Sequence, residues 1–263
     1  MKIGFIGAGN MARSMIRGLL ASGIPAEDIF ASDKFAPSRE SVHQELKIET
    51  TDDNHTIAQG ADVLFLAVKP HFYQEVIEEV RDDIRPETIV VSMTLGKKLA
   101  EVRSFFGRDV KLVRIMPNMA AMVLESVTAY TPGEGISDED SQKVIELLKS
   151  FGQVYPVPET QMDAVTGVAG SGPAYIFMMI EAMAQAGIKA GLSHADAYAM
   201  AAQTAKGSAK AVLESGTHPA QLRDQVCSPA GSTIEAVAVL EREGFKTAVI
   251  QAIDACVKKS KGD

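Results

Sequence analysis

A short apolar segment at residues 2–6 runs straight into Gly7-Ala8-Gly9-Asn10-Met11-Ala12 and then into a helical stretch. Strand, glycine turn and helix in immediate succession constrain the fold more than any other feature, because GxGxxG/A spacing carries meaning only in that context. Gly7 permits a tight turn, Gly9 lets the backbone approach a pyrophosphate with no Cβ in the way, and Ala12 lets helix pack closely on strand. The first N–H groups of the helix lack intrahelical partners and lie at its positive end, so phosphate is the expected occupant. Gly7, Ala8, Gly9, Asn10, Met11 and Ala12 are the predicted dinucleotide contacts.

The same alternation of short apolar runs with polar-faced helical stretches continues to about Pro158. Strands are predicted at 2–6, 28–32, 62–68, 88–93, 110–116, 126–131 and 153–157, most of them rich in β-branched residues that suit buried strands. Segments such as 11–21, 72–80 and 138–150 suit crossover helices. Beyond Pro158 strand signals vanish. Pro173 opens a helix running toward Gly187 or Gly191, a second helix spans 193–215, and a last one runs from Phe245 toward Lys259. The fold class is therefore α/β, with an N-terminal Rossmann-type doubly wound sheet over residues 1–158 and an all-α domain over 159–263. The stretch from Pro173 to Leu213 carries few charges, so its helices are either a buried core or a homodimer interface.

In a doubly wound sheet, ligands gather at the carboxyl ends of the strands. The second strand ends in Ser32-Asp33-Lys34, where the signal is mixed: Asp33 suits a ribose 2′-hydroxyl, whereas Ser32 and Lys34 suit a 2′-phosphate. The 62–68 strand ends in Val68-Lys69-Pro70, which either borders the cofactor or merely stops the strand. Asn118, after Met116-Pro117, is a candidate for the nicotinamide side.

Composition narrows the classes of partner. Of 263 residues 46% are hydrophobic, enough for a substantial core, while 26 Lys and Arg against 34 Asp and Glu give a net charge of −8 that disfavours nucleic acid. No run of about 18 apolar residues offers a membrane span, and Gly4 and Gly7 break the N-terminal segment too early for a signal peptide. A cytoplasmic protein is expected. Cys227 and Cys256 are too few for a disulfide framework and are expected as thiols, Cys256 in the core. The five histidines are scattered, and no metal site is predicted.

Near the C-terminus, Leu222-Arg223-Asp224-Gln225-Val226-Cys227-Ser228-Pro229-Ala230-Gly231-Ser232-Thr233-Ile234-Glu235-Ala236-Val237 places a Pro/Gly turn before an amphipathic helix. Amides around Gly231, Ser232 and Thr233 would be unpaired donors suited to a small carboxylate. The alternative is an ordinary N-cap by Ser232 or Thr233, worth about 1 kcal/mol.

This stretch resembles the signature of the pyrroline-5-carboxylate reductase family. So do Phe5-Ile6-Gly7-Ala8-Gly9-Asn10-Met11-Ala12, Ala67-Val68-Lys69-Pro70, Met116-Pro117-Asn118 and Gly170-Ser171-Gly172-Pro173-Ala174-Tyr175, so the resemblance spans the chain. Two positions depart from it: the family often has two glycines at Ala230-Gly231, and Thr-Pro at Met119-Ala120. The resemblance implies NADPH as cofactor, with NADH the alternative, contacting the glycine loop, Ser32, Asp33, Lys34, Asn54, Val68, Lys69, Pro70 and Asn118. It implies that Glu159, Gln225, Val226, Ser228, Gly231, Ser232 and Thr233 serve the substrate or its pocket, with Thr233 the catalytic residue near the ring nitrogen. It further implies reduction of 1-pyrroline-5-carboxylate to L-proline, the last step of proline biosynthesis, by an intertwined helical homodimer that extends in some members to a ring of dimers. The rival readings are a β-hydroxyacid dehydrogenase or ketopantoate-type reductase, which would rely on a lysine such as Lys189, Lys206 or Lys210, and a non-catalytic nucleotide sensor.

Overall fold

A computed structural model describes residues 1–261. Its elements follow in the order β1 (Ile3–Ile6), α1 (Asn10–Ala21), β2 (Ile29–Ser32), α2 (Ala36–Leu46), β3 (Glu49–Thr51), α3 (Asn54–Gly60), β4 (Val63–Leu66), α4 (Tyr73–Val80), β5 (Ile89–Ser92), α5 (Leu99–Phe106), β6 (Lys111–Met116), β7 (Ser126–Pro132), α6 (Asp138–Lys149) and β8 (Gly152–Pro156). Helices alone follow: α7 (Met162–Val165), α8 (Gly172–Lys189), α9 (His194–Ser215), α10 (Pro219–Val226), α11 (Ser232–Arg242) and α12 (Phe245–Ser260).

The eight strands form one sheet in the order β3-β2-β1-β4-β5-β6-β7-β8. All pairings are parallel except β6 with β7. The chain winds outward from β1 in one direction and resumes at β4 in the other, which makes the β1/β4 boundary the topological switch. Every residue of β1, β4 and β5 is buried, as expected of parallel strands covered on both faces. Alternate residues feed two cores. Ile3, Phe5, Val63, Phe65 and Val91 pack with Met15, Ile16 and Leu19 of α1 and Val144, Leu147 and Leu148 of α6. Ile6, Leu64, Leu66 and Val90 pack with Ile57 of α3, Val76 and Ile77 of α4 and Phe106 of α5.

Seven predicted strands are present. The eighth, β3, escaped prediction because it is three residues, Glu49-Thr50-Thr51, none fully buried at the sheet's end. Helix α2 was equally silent, since it buries only Val42 and Leu46.

The chain separates into two compact units, Met1–Gly170 with the end of α12 from Val257, and Ser171–Cys256. Within the second, the buried hydrophobic cluster is only Ala184, Ala197 and Ala201. Phe177, Met178, Met200 and Leu213 are 54%, 69%, 55% and 77% exposed, so α8 and α9 are not the buried core of a single chain. Cys256 is also not core: it is half-buried, its Sγ 3.1 Å from the Ser171 hydroxyl. Among the described residues, no helix is long and apolar enough to cross a membrane.

Candidate active site

Gly7 has a φ of +101°, and a Cβ there would lie 2.6 Å from the carbonyl oxygen of Ala67, so turn and close approach both demand glycine. A Cβ on Gly9 would meet nothing within 4 Å: the space beside this residue is open. Gly9 is the N-cap of α1 and provides no side-chain cap, which leaves the opening N–H groups available to a ligand. Ala8 and Ala12 are buried under the loop, whereas Asn10 is exposed and Met11 half-buried. A glycine floor, an open approach and a bare helix start fit a dinucleotide's pyrophosphate.

At the end of β2 the structure decides what each side chain does. The Asp33 carboxylate turns toward the glycine loop and accepts from the N–H of Ala8 at 2.9 Å and of Phe35 at 2.9 Å. Ser32 donates to Asn54 Oδ1 at 2.7 Å, and Asn54 donates through Nδ2 to Glu79 at 2.8 Å. Lys34 reaches the other oxygen of Glu79 at 3.1 Å. Ser32 and Lys34 of the strand end and the distant Asn54 thus belong to one chain of contacts that meets at Glu79. Arg39 places Nη1 2.7 Å from the Asp33 carbonyl oxygen. Glu79 and Arg39 were not predicted, because neither lies in a motif. Beside them, His55 Nδ1 is 2.6 Å from Asp83, and that hydrogen bond raises the imidazole pKa above its ordinary value and lowers that of Asp83.

Val68 is half-buried, with Lys69 and Pro70 exposed after β4. Below them the Tyr73 hydroxyl donates to the Leu66 carbonyl at 2.7 Å and accepts from the Met93 N–H at 3.0 Å. Full burial pushes this phenol up to about 12, so it stays neutral. Asn118 ties its own loop to a distant segment: Oδ1 accepts from the Ala120 N–H at 3.2 Å, and Nδ2 donates to the Ala169 carbonyl at 3.0 Å. Glu159 is likewise engaged, its Oε1 accepting from the Leu99 N–H at 2.7 Å and from Arg114 Nη1 at 3.0 Å.

In the second unit, α10 ends at Val226 and α11 begins after the 228–231 turn. Gly231 is the N-cap, with no side-chain cap, so Ser232 and Thr233 stand inside the helix rather than capping it. The capping alternative is thereby removed, and the first amides of α11 remain available. The Gly231 N–H donates to the Ser228 carbonyl at 3.0 Å, and a Cβ on Gly231 would collide with the Ser228 hydroxyl. Ala230 adopts a left-handed φ of 55°, at the place where the family often carries glycine. Ser228 and Ser232 are exposed and Thr233 is half-buried; Gln225 and Val226 are exposed on α10.

Residues 159–263 match a family described as pyrroline-5-carboxylate reductase dimerisation, and residues 2–96 match one described as NADP oxidoreductase, coenzyme F420-dependent. The second half is thus a self-association domain. The pyrroline-5-carboxylate reductase of Escherichia coli is 42% identical, over 98% of this chain and 97% of its own. The solved structure of a pyrroline-5-carboxylate reductase from Coxiella burnetii superposes with a TM-score of 0.92 at 33% identity, covering 99% of this chain and 97% of that one. That of the Plasmodium falciparum pyrroline carboxylate reductase, solved with NADP bound, gives 0.91 at 28% identity, covering 100% and 97%. With sequence and fold similar from end to end, the chain belongs to the pyrroline-5-carboxylate reductase family.

Proposed function

We propose that this chain reduces 1-pyrroline-5-carboxylate to L-proline, the last step of proline biosynthesis, using NADPH. The observation that carries the reading is the pair of uncapped helix starts: α1 behind the glycine loop, for a pyrophosphate, and α11 behind the 228–231 turn, for a carboxylate. In this reading residues 1–158 bind the dinucleotide, and residues 159–263 bind substrate and self-associate.

When bound, the reduced nicotinamide supplies a hydride to the imine carbon C5. The chain's own residues do the positioning. Gly7 to Ala12 hold the pyrophosphate, Ser32, Asp33, Lys34 and Asn54 frame the adenosine end, and Val68, Lys69, Pro70 and Asn118 border the other half. Asp33 is turned inward onto the Ala8 and Phe35 amides, which reduces its conflict with a 2′-phosphate, while Lys34 and Arg39 bring positive charge to the same strand end. That arrangement favours NADPH over NADH.

The Ser232 and Thr233 amides that open α11 beside Gly231 hold the substrate carboxylate. The Thr233 hydroxyl orients the ring nitrogen and relays its proton, so that C5 gains the hydride and nitrogen ends protonated. Gln225, Val226 and Ser228 flank the same turn. Two free thiols suit the cytoplasm, and a ring of dimers would extend the same assembly. Steady-state assays with NADPH and NADH, each with and without 1-pyrroline-5-carboxylate, test the reading. Oxidation that depends on the imine and favours NADPH is expected; none with either cofactor would sink it.

A further inference from the structure

Residues 93–98 join β5 to α5 at the carboxyl end of the parallel strands. A dinucleotide whose adenosine meets the end of β2 lies across the switch, with its nicotinamide half on the side of β4, β5 and β6. The placement of 93–98 therefore bears on how the nicotinamide is held.

Groups from distant elements pin both ends of this segment. At its start, Tyr73 accepts the Met93 N–H at 3.0 Å. At its end, the Glu159 carboxylate accepts the Leu99 N–H at 2.7 Å from sixty residues away. Helix α5 has no side-chain cap of its own, with Lys98 at the N-cap, so Glu159 supplies both an acceptor and a negative charge at the helix's positive end. The same Oε1 takes Arg114 Nη1 at 3.0 Å. Arg114 pairs with Ser92, the last residue of β5, is only 4% exposed, and its Nε has no hydrogen-bond partner among the described residues. Between the anchors, Leu95 is 49% exposed and Gly96 has a φ of +75°. A carboxylate already carrying two donors, one of them a buried arginine, is poorly suited to meeting an anionic substrate.

We propose that Glu159 is a positioning residue: braced by buried Arg114, it fixes the 93–98 segment against the nicotinamide half of the bound dinucleotide without touching substrate. The inference rests on dinucleotide binding by the first unit, and not on the identity of the substrate.

Calorimetric titration with NADPH and with adenosine 2′,5′-bisphosphate, which lacks the nicotinamide half, separates the roles. Glu159→Ala is expected to weaken NADPH binding about tenfold while leaving the bisphosphate within about twofold, because only one ligand loses a preorganised wall. Its kcat with 1-pyrroline-5-carboxylate should fall on the order of tenfold to a hundredfold, as misplacement of a reacting group does. Glu159→Gln keeps an acceptor for Leu99 but strands the Arg114 charge, so it should lower Tm and retain NADPH binding. The double variant Arg114→Met, Glu159→Leu removes the stranded charge and should bind NADPH as weakly as Glu159→Ala.

Equal weakening of both ligands, or a lower Tm in Glu159→Ala with both affinities intact, would overturn the proposal. So would a raised KM for 1-pyrroline-5-carboxylate in Glu159→Gln at unchanged NADPH affinity, since that would put Glu159 on the substrate. A wild-type protein that binds NADPH but ignores the imine would defeat the substrate reading, while the binding arms would still judge Glu159.

Discussion

The sheet unit and the helical unit solve the burial problem differently. In the first, alternate strand residues fill two cores inside one chain, with Phe5 stacked on Phe65 at 4.7 Å and both fully buried. In the second, three alanines make up the buried cluster, and apolar side chains as large as Phe177 and Leu213 face outward. Hydrophobic area left open on this scale calls for a cover, and the match of residues 159–263 to a dimerisation family points to self-association. One unit carries its own core, and the other leaves its large apolar faces open to association.

The strongest way to break that contrast is to replace one aromatic in each unit. Phe65→Ala should cost about 3–5 kcal/mol in urea unfolding, at any protein concentration. Phe177→Asp should leave the far-ultraviolet dichroism of the sheet unit in place but weaken self-association by on the order of 2 kcal/mol, read by sedimentation equilibrium. A concentration-independent loss of stability in Phe177→Asp would erase the distinction.

The glycine loop sharpens the contrast inside the sheet unit. Gly7→Ala should cost about 1–3 kcal/mol of folding stability, because it forces a left-handed side chain into the Ala67 backbone. Gly9→Ala, whose Cβ would enter open space, should stay within about 0.5 kcal/mol in stability. Its dinucleotide affinity should nevertheless fall on the order of tenfold, equivalent to about 1.4 kcal/mol. Thermal melts with and without NADPH report both.

In the helical unit, Thr233→Ala should lower kcat about tenfold to a hundredfold with little change in Tm. Turnover equal to wild type would remove Thr233 from the mechanism. Ala230→Gly tests the turn before it: relief of the left-handed residue should stabilise the fold by up to about 1 kcal/mol, read as a higher Tm.

The smallest effect expected is on pH dependence. The folded pKa of His55 is raised by Asp83, so its contribution to stability is complete below the unfolded value and fades as pH rises through the folded one. Asp83 is lowered by His55, so its contribution is present above its unfolded value and fades as pH falls through the folded one. The pair therefore helps most at weakly acidic pH. Asp83→Asn should bring the His55 titration, followed by NMR, back toward the ordinary value; an unmoved curve would refute the pairing.

What the sequence determined by itself was local. Alternating apolar runs gave the strands, the glycine spacing after β1 gave the tight turn into α1, and the turn before Ser232 marked a helix start, since periodicity and turn chemistry are written in neighbouring residues. The tertiary structure alone decided how distant side chains are used. The sequence leaves the role of Asp33 mixed, and only the β1–β2 pairing shows that the Ala8 amide comes within 2.9 Å of its carboxylate. For Glu159 the sequence names no partner, and only the fold sets its carboxylate on the Leu99 amide and Arg114. The edge strand β3 and the outward apolar faces of α8 and α9 were undecided for the same reason. A hydrogen bond across sixty residues, or a core completed by another chain, depends on which surfaces meet, and no local window of sequence holds that information.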